Sequence, residues 1–148
     1  MNHFQSLEEA DVKMSYGDLV FIKCRPYTKA RIIGIDRNTG ETQFEDLLFL
    51  LDTGGQYCRI DCRLPFLQNW KAEPDLDTET GLGGTTTQLS LVTHSYGLMF
   101  GKNKHGDPIF QCEPKFTWSK RNIIGSKVFY KEGAILYVDY NSEIIKLL

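Results

Sequence analysis

Cys24, Cys58, Cys62 and Cys112, with His3, His94 and His105, are the residues of this chain that could ligate a metal, form disulfides or attack a substrate. Cys58 and Cys62 are spaced C-x3-C and could enclose zinc with His94, His105 or Cys112. Structural zinc sites more often use tighter knuckles with glycine close by. An even cysteine count would allow two disulfides, but Glu8, Glu9 and Asp11 stand where a secretory signal needs positive charge followed by an apolar run. Reduced thiols in strands are therefore expected, with no metal. No Ser or Cys occupies a nucleophile-elbow setting, and the histidines are scattered. Asp18 and Asp107 each follow a glycine, which a turn before a strand explains more simply than a paired acid and base. The expected protein has no catalytic residue, needs no cofactor and is not an enzyme.

Composition narrows the class further. A 41% hydrophobic and 24% charged chain of 148 residues is ordinary for a globular protein. A formal net charge of -2 gives no electrostatic footprint for phosphate backbones, so nucleic acid stays an open rather than a favoured partner. No run approaches the roughly eighteen apolar residues of a membrane span, and an intracellular place, nucleus or cytoplasm, is expected without a membrane partner.

The elements that must position any site are organised by an internal echo. Residues 17–34 read GDLVFIKCRPYTKARIIG and residues 106–125 read GDPIFQCEPKFTWSKRNIIG. Both carry Gly-Asp, an apolar run with Phe, a Cys, a Pro two residues on, an aromatic-Thr pair, basic residues and Ile-Ile-Gly. The same order recurring about ninety residues later points to two copies of one small unit. Short apolar and β-branched runs separated by turn residues predict strands at 19–23, 30–35, 42–51 and 56–60, with a turn at Arg25-Pro26-Tyr27. Further strands are expected at 89–93, 98–101, 108–112, 122–124, 127–130, 134–138 and 143–147. A helical turn capped at Ser6, with Glu9 three residues on, precedes them. Residues 71–94 read as an acidic, Gly-Thr-rich linker: Glu73, Asp75, Asp77 and Glu79 alternate with small or polar residues ahead of Gly81, Gly83 and Gly84. The glycines form no phosphate loop, because no Lys-Ser or Lys-Thr follows at the required spacing. The fold class is all-β, with two small strongly bent barrels.

GDLVFIK, YTKARIIGID, FLLDTGGQYCRI and the closing LPFL, together with YVDYNSEII at 137–145, resemble the Tudor family. Its usual progression is a Gly-Asp start, an aromatic-x-Ala-x-Ile strand and an Asp-Tyr-Gly-Asn turn. The resemblance implies tandem SH3-like antiparallel barrels at 15–70 and 95–148. It also implies a role in binding methylated arginine or lysine within aromatic side chains. Such faces attract a poorly hydrated cation by roughly 0.5 to 2 kcal/mol per ring.

In the first unit the resemblance places Thr53, Gly55, Leu50 and Thr28 at the cage positions, with Tyr27 alone beside them, so that copy is degenerate. In the second unit Tyr137 and Tyr140 stand at the strand and turn aromatics. Asn141 could hydrogen-bond a guanidinium, Asp139 would add charge, and Phe116 or Trp118 could form the opposite wall. The alternative is that these aromatics simply pack a core. The function implied is a non-enzymatic adaptor that binds a peptide, methylated or not, of a partner in an RNA-silencing, ribonucleoprotein or chromatin assembly. Two other readings stand beside it. One is an assembly protein that holds a folded partner independently of methylation, and the other is a nucleic-acid-binding β-barrel stacking bases on Phe116, Trp118 or Tyr27.

Overall fold

The computed structural model describes residues 4–35, 39–61, 63–65, 72–80, 86–92 and 97–148. Helix α1 (Leu7–Lys13) precedes strands β1 (Leu19–Ile22), β2 (Arg25–Ile35), β3 (Thr42–Asp52) and β4 (Cys58–Asp61). A hairpin of β5 (Ala72–Thr80) and β6 (Thr86–Val92) leads to β7 (Gly97–Lys102), β8 (Pro108–Cys112), β9 (Phe116–Ser119) and β10 (Ile123–Gly125). Helix α2 (Ser126–Glu132) then connects to β11 (Leu136–Asp139) and β12 (Ile144–Leu147).

The local signals explain most of these boundaries. Ser6 caps α1 as expected, its hydroxyl accepting from the Glu9 N–H at 3.1 Å. Between β1 and β2 the turn is Lys23-Cys24, both at positive φ (50° and 66°), which pairs Ile22 with Arg25 in a two-residue hairpin. The expected turn at Arg25-Pro26-Tyr27 is thus the start of β2. Residues 127–130, expected as a strand, lie in α2. Val128 and Phe129 face the core while Lys127, Tyr130 and Lys131 face solvent. Gly133 ends the helix in the left-handed region at φ 64°. Two helical turns are too few to show a period in sequence.

Among the described residues, ten strands form one open sheet, ordered β5-β6-β9-β4-β10-β3-β2-β7-β8 with β1 beside β2, and β11 pairs with β12 alone. The chain is mostly β, as expected, but these strands do not close into two antiparallel barrels. Strands from 95–148 interleave with those from 15–70: β10 lies parallel to β3, and β9 parallel to β4. The sequence echo does not survive as a structural repeat. Ile32-Ile33-Gly34 belongs to the β2–β3 hairpin, whereas Ile123-Ile124-Gly125 is a short inserted strand. The expected linker at 71–94 is also largely strand: β5 and β6 pair with each other, and Leu91 of β6 pairs with Thr117 of β9. The alternating acidic pattern that reads as a connector has the period of a strand.

Insertion of β10 builds the core. Leu47 through Leu51 of β3 are all buried, as a strand covered on both faces must be. One face joins Ile60, Phe100, Phe116 and Ile124 in the main cluster. The other meets Ala10 and Met14 around α1. Lys29, 6% exposed, reaches from β2 to α1, where its ammonium pairs with the Asp11 carboxylate at 2.9 Å. Beyond the β10 strand, Ser126 N–H donates to Gly55 O at 2.7 Å and Lys127 N–H to Gln56 O at 3.1 Å. Gly125 is required at this junction, because a Cβ there would lie 2.5 Å from the Tyr57 carbonyl oxygen.

Two outcomes follow from these contacts. Gly125→Ala should lower unfolding free energy by about 1–3 kcal/mol through forced backbone displacement, and a urea midpoint equal to the parent's would refute the close approach. For Asp18, burial opposes ionisation, but hydrogen bonds from Lys102 Nζ and the Ser15 N–H outweigh it and hold the carboxyl below its ordinary value. A depressed carboxylate stabilises the fold above its unfolded pKa and loses that contribution as pH falls through the folded one. Asp18→Asn should therefore destabilise at neutral pH and converge with the parent in acid, a comparison that thermal melts across pH will check.

Candidate functional site

Alternation along β11 and β12 divides their residues between two faces. Leu136, Ile145 and Leu147 pack on the main cluster, so their neighbours must face outward. Cross-strand pairing places Tyr137 opposite Lys146 and Asp139 opposite Ile144. Ile135 and Leu148 exchange both backbone hydrogen bonds, at 2.7 and 2.9 Å. The outward face therefore carries Ile135 and Leu148, each 63% exposed, Tyr137 at 49% and Ile144 at 41%. These four side chains share the outward face with two charges, Lys146 opposite Tyr137 and Asp139 opposite Ile144.

The expected cage residues are distributed over three surroundings. Phe116 is fully buried, its ring centroid 6.5 Å from that of Phe49; as a core residue it cannot wall an open pocket. Trp118 is half-buried against the main cluster, opposite Ile60 on β4. Tyr137 has the Lys146 ammonium 5.6 Å from its ring centroid. Tyr140 is 62% exposed and packs edge-on against Phe21, with centroids 5.6 Å apart. Asn141 is exposed, and its backbone N–H donates to Asp139. The Asp139 carboxylate also accepts from the Ser142 N–H, and these bonds hold its pKa below the ordinary value. Asp139 thus shapes the turn, while Tyr137, Tyr140 and Asn141 share the ribbon without Phe116.

In the first copy, Thr28 and Leu50 are buried, and Thr53 and Gly55 lie in the turn after β3. The chain does contain a cation between two rings, at a place the sequence did not suggest. The Arg31 guanidinium lies 5.4 Å from the Tyr16 ring centroid and 4.6 Å from that of Phe44. It also donates two hydrogen bonds to Asp46, at 2.7 and 3.0 Å. Tyr16 is anchored by its hydroxyl to Gly101 O at 2.8 Å, and burial pushes that phenol up to about 12. Arg31 faces Asp46 directly across the hairpin, and Phe44 is their diagonal neighbour. Only the strand register reveals this constellation, and register depended on where the loop between β2 and β3 falls.

The thiols have no activated partner in view. Cys24, Cys58 and Cys112 are free, and burial pushes both the Cys58 and Cys112 thiols up to about 12. Among the described residues no three His, Cys, Asp or Glu side chains gather as a metal site would need. His105, another member of the expected zinc set, is exposed on the β7–β8 loop, while Cys62, His94 and His3 lie outside the described residues. No family model matches the chain, and no curated protein matches it either.

Arg31→Ala should remove two cation–π contacts and a half-exposed ion pair, together about 1–2 kcal/mol. A melting point lowered by about 3–6 °C is then expected for a chain of this size. Arg31→Lys should recover part of the loss, and an Arg31→Ala melt superimposable on the parent's would show the stack to be incidental.

Proposed function

We propose that this protein is a non-enzymatic interaction module that holds a protein partner on the outward face of the β11–β12 ribbon without requiring methylation. One observation carries the reading: Ile135, Tyr137, Ile144 and Leu148 all stand exposed on one face of a ribbon whose other face is anchored in the core. Exposed apolar side chains grouped on one face and rimmed by charge are the usual mark of a protein contact. The Tudor resemblance of the sequence motifs, though not its tandem barrels, favours a binding role with a partner in an RNA-silencing, ribonucleoprotein or chromatin assembly. Its methylated-cation form has less support. Phe116 is sealed in the core, Lys146 already faces Tyr137, and the single platform of Tyr140 would contribute roughly 0.5 to 2 kcal/mol. Raised thiol pKa values at Cys58 and Cys112 weigh against cysteine catalysis.

A photo-crosslinking amino acid placed at Tyr137 will identify the partner, which is then purified and titrated against the parent and Ile144→Glu. Burying a carboxylate in the apolar contact should weaken the complex by about a hundredfold, with equal affinity for methylated and unmethylated partner. A complex indifferent to Ile144→Glu would refute the surface. Binding confined to methylated partner and lost in Tyr140→Ala would restore the cage.

A further inference from the structure

A groove of about 590 Å³ lies across the ends of β2, β3 and β10. Its apolar floor includes Tyr27, Leu50 and Leu64, and α1 contributes Leu7, Glu8 and Asp11. Charge is distributed unevenly around this floor. Asp11 is paired with Lys29, and Asp61 is paired bidentately with Arg63. Lys23, Arg25, Lys120 and Arg121 are all exposed and form no ion pair among the described residues. Glu8 is the remaining anion, so the groove presents an excess of free positive charge although the whole chain is formally -2.

Topology fixes where these cations stand. Lys23 lies in the β1–β2 turn and Arg25 begins β2, whereas Lys120 and Arg121 belong to the connection between β9 and β10. Tyr27 pairs with Leu50 on the neighbouring strand. The Leu50 N–H donates in turn to Asn122 O at 2.9 Å. The two cationic pairs therefore flank a row of three adjacent strands, two inter-strand spacings or about 10 Å across. An extended peptide rises about 3.4 Å per residue and turns alternate side chains to the same face, so carboxylates four residues apart share a face about 14 Å apart, within reach of these long cationic side chains, and the residue midway between them faces the floor.

We propose that this groove binds an extended acidic segment of a partner protein. Carboxylates of the segment meet the Lys23–Arg25 and Lys120–Arg121 pairs, and an intervening apolar side chain rests on Tyr27 and Leu50. Mixed charge in the lining favours a peptide over nucleic acid: Glu8, Asp11 and Asp61 would repel a continuous phosphate backbone, whereas a peptide places its carboxylates at chosen positions. The groove's volume also suits a few side chains at once.

The probe is a fluorescein-labelled decapeptide with glutamates four residues apart and leucine or phenylalanine midway between them, titrated into the full chain by fluorescence polarisation. Saturable binding that weakens with salt is expected. Arg25→Glu combined with Arg121→Glu should weaken it by about tenfold or more. Lys104→Glu, on the exposed β7–β8 loop, should leave it unchanged. All the substituted side chains are exposed, and circular dichroism will verify that each variant folds. Absence of saturable peptide binding overturns the proposal. So does equal loss with Lys104→Glu, or tighter binding of an oligouridylate than of the peptide, which would assign the groove to single-stranded nucleic acid.

Discussion

The fold depends on one seam, the insertion of β10 between β3 and β4. Ile123, Ile124 and Gly125 align with Leu50, Leu51 and Asp52 in parallel, while Ile123 faces Arg59 on the other side. Asn122 fastens the seam's beginning, its backbone oxygen accepting from Leu50 N–H and its side-chain oxygen from Asp61 N–H at 2.8 Å. The Gly125 junction fastens its end. A parallel pairing brings together residues far apart in sequence, so its loop-closure cost is met only when the apolar interior forms with it. Ile124 contributes through complete burial, and the two parts of the chain become one cooperative structure.

Both proposed surfaces are consequences of that seam. After Gly125 the chain enters α2, whose Val128 and Phe129 join the main cluster. The β11–β12 ribbon is then laid against the core by Leu136, Ile145 and Leu147, leaving its alternate residues outside. Before Ile123, the β9–β10 turn brings Lys120 and Arg121 to the margin of the groove. Disturbing the seam would alter both surfaces together, whereas exposed substitutions on either should act separately.

The short strands and the α1 cap were legible because their signals are local. Ser6 and Glu9 are three residues apart, and Pro108–Cys112 is bounded by turn residues. Strand order was not legible, because the echo of Ile-Ile-Gly records similar residue types in unlike places: one copy is in a hairpin, and the other runs parallel to β3. Helix α2 was hidden by its brevity, and β5 and β6 by acidic side chains that suggested a connector. At the site, Tyr137 and Tyr140 were found on the exposed ribbon, but Phe116 carries the same aromatic signal and is wholly buried. A ring's identity specifies what it can contact; only the sheet register specifies what it does contact.

The aromatic residues also bear on which ligand charge the protein can accommodate. Arg31 occupies the space between Tyr16 and Phe44, Lys127 lies 4.2 Å from the Tyr57 ring centroid, and Lys146 faces Tyr137. Each of these ring faces is already satisfied by a cation of the chain itself, and an incoming methylated side chain would have to displace it. The cations of the groove are in the opposite situation: Lys23, Arg25, Lys120 and Arg121 are exposed, line one groove and form no ion pair among the described residues. Bringing a carboxylate among them relieves like-charge repulsion and forms charge-assisted hydrogen bonds. The proposed groove therefore suits recognition of an anion beside an apolar contact better than enclosure of a cation.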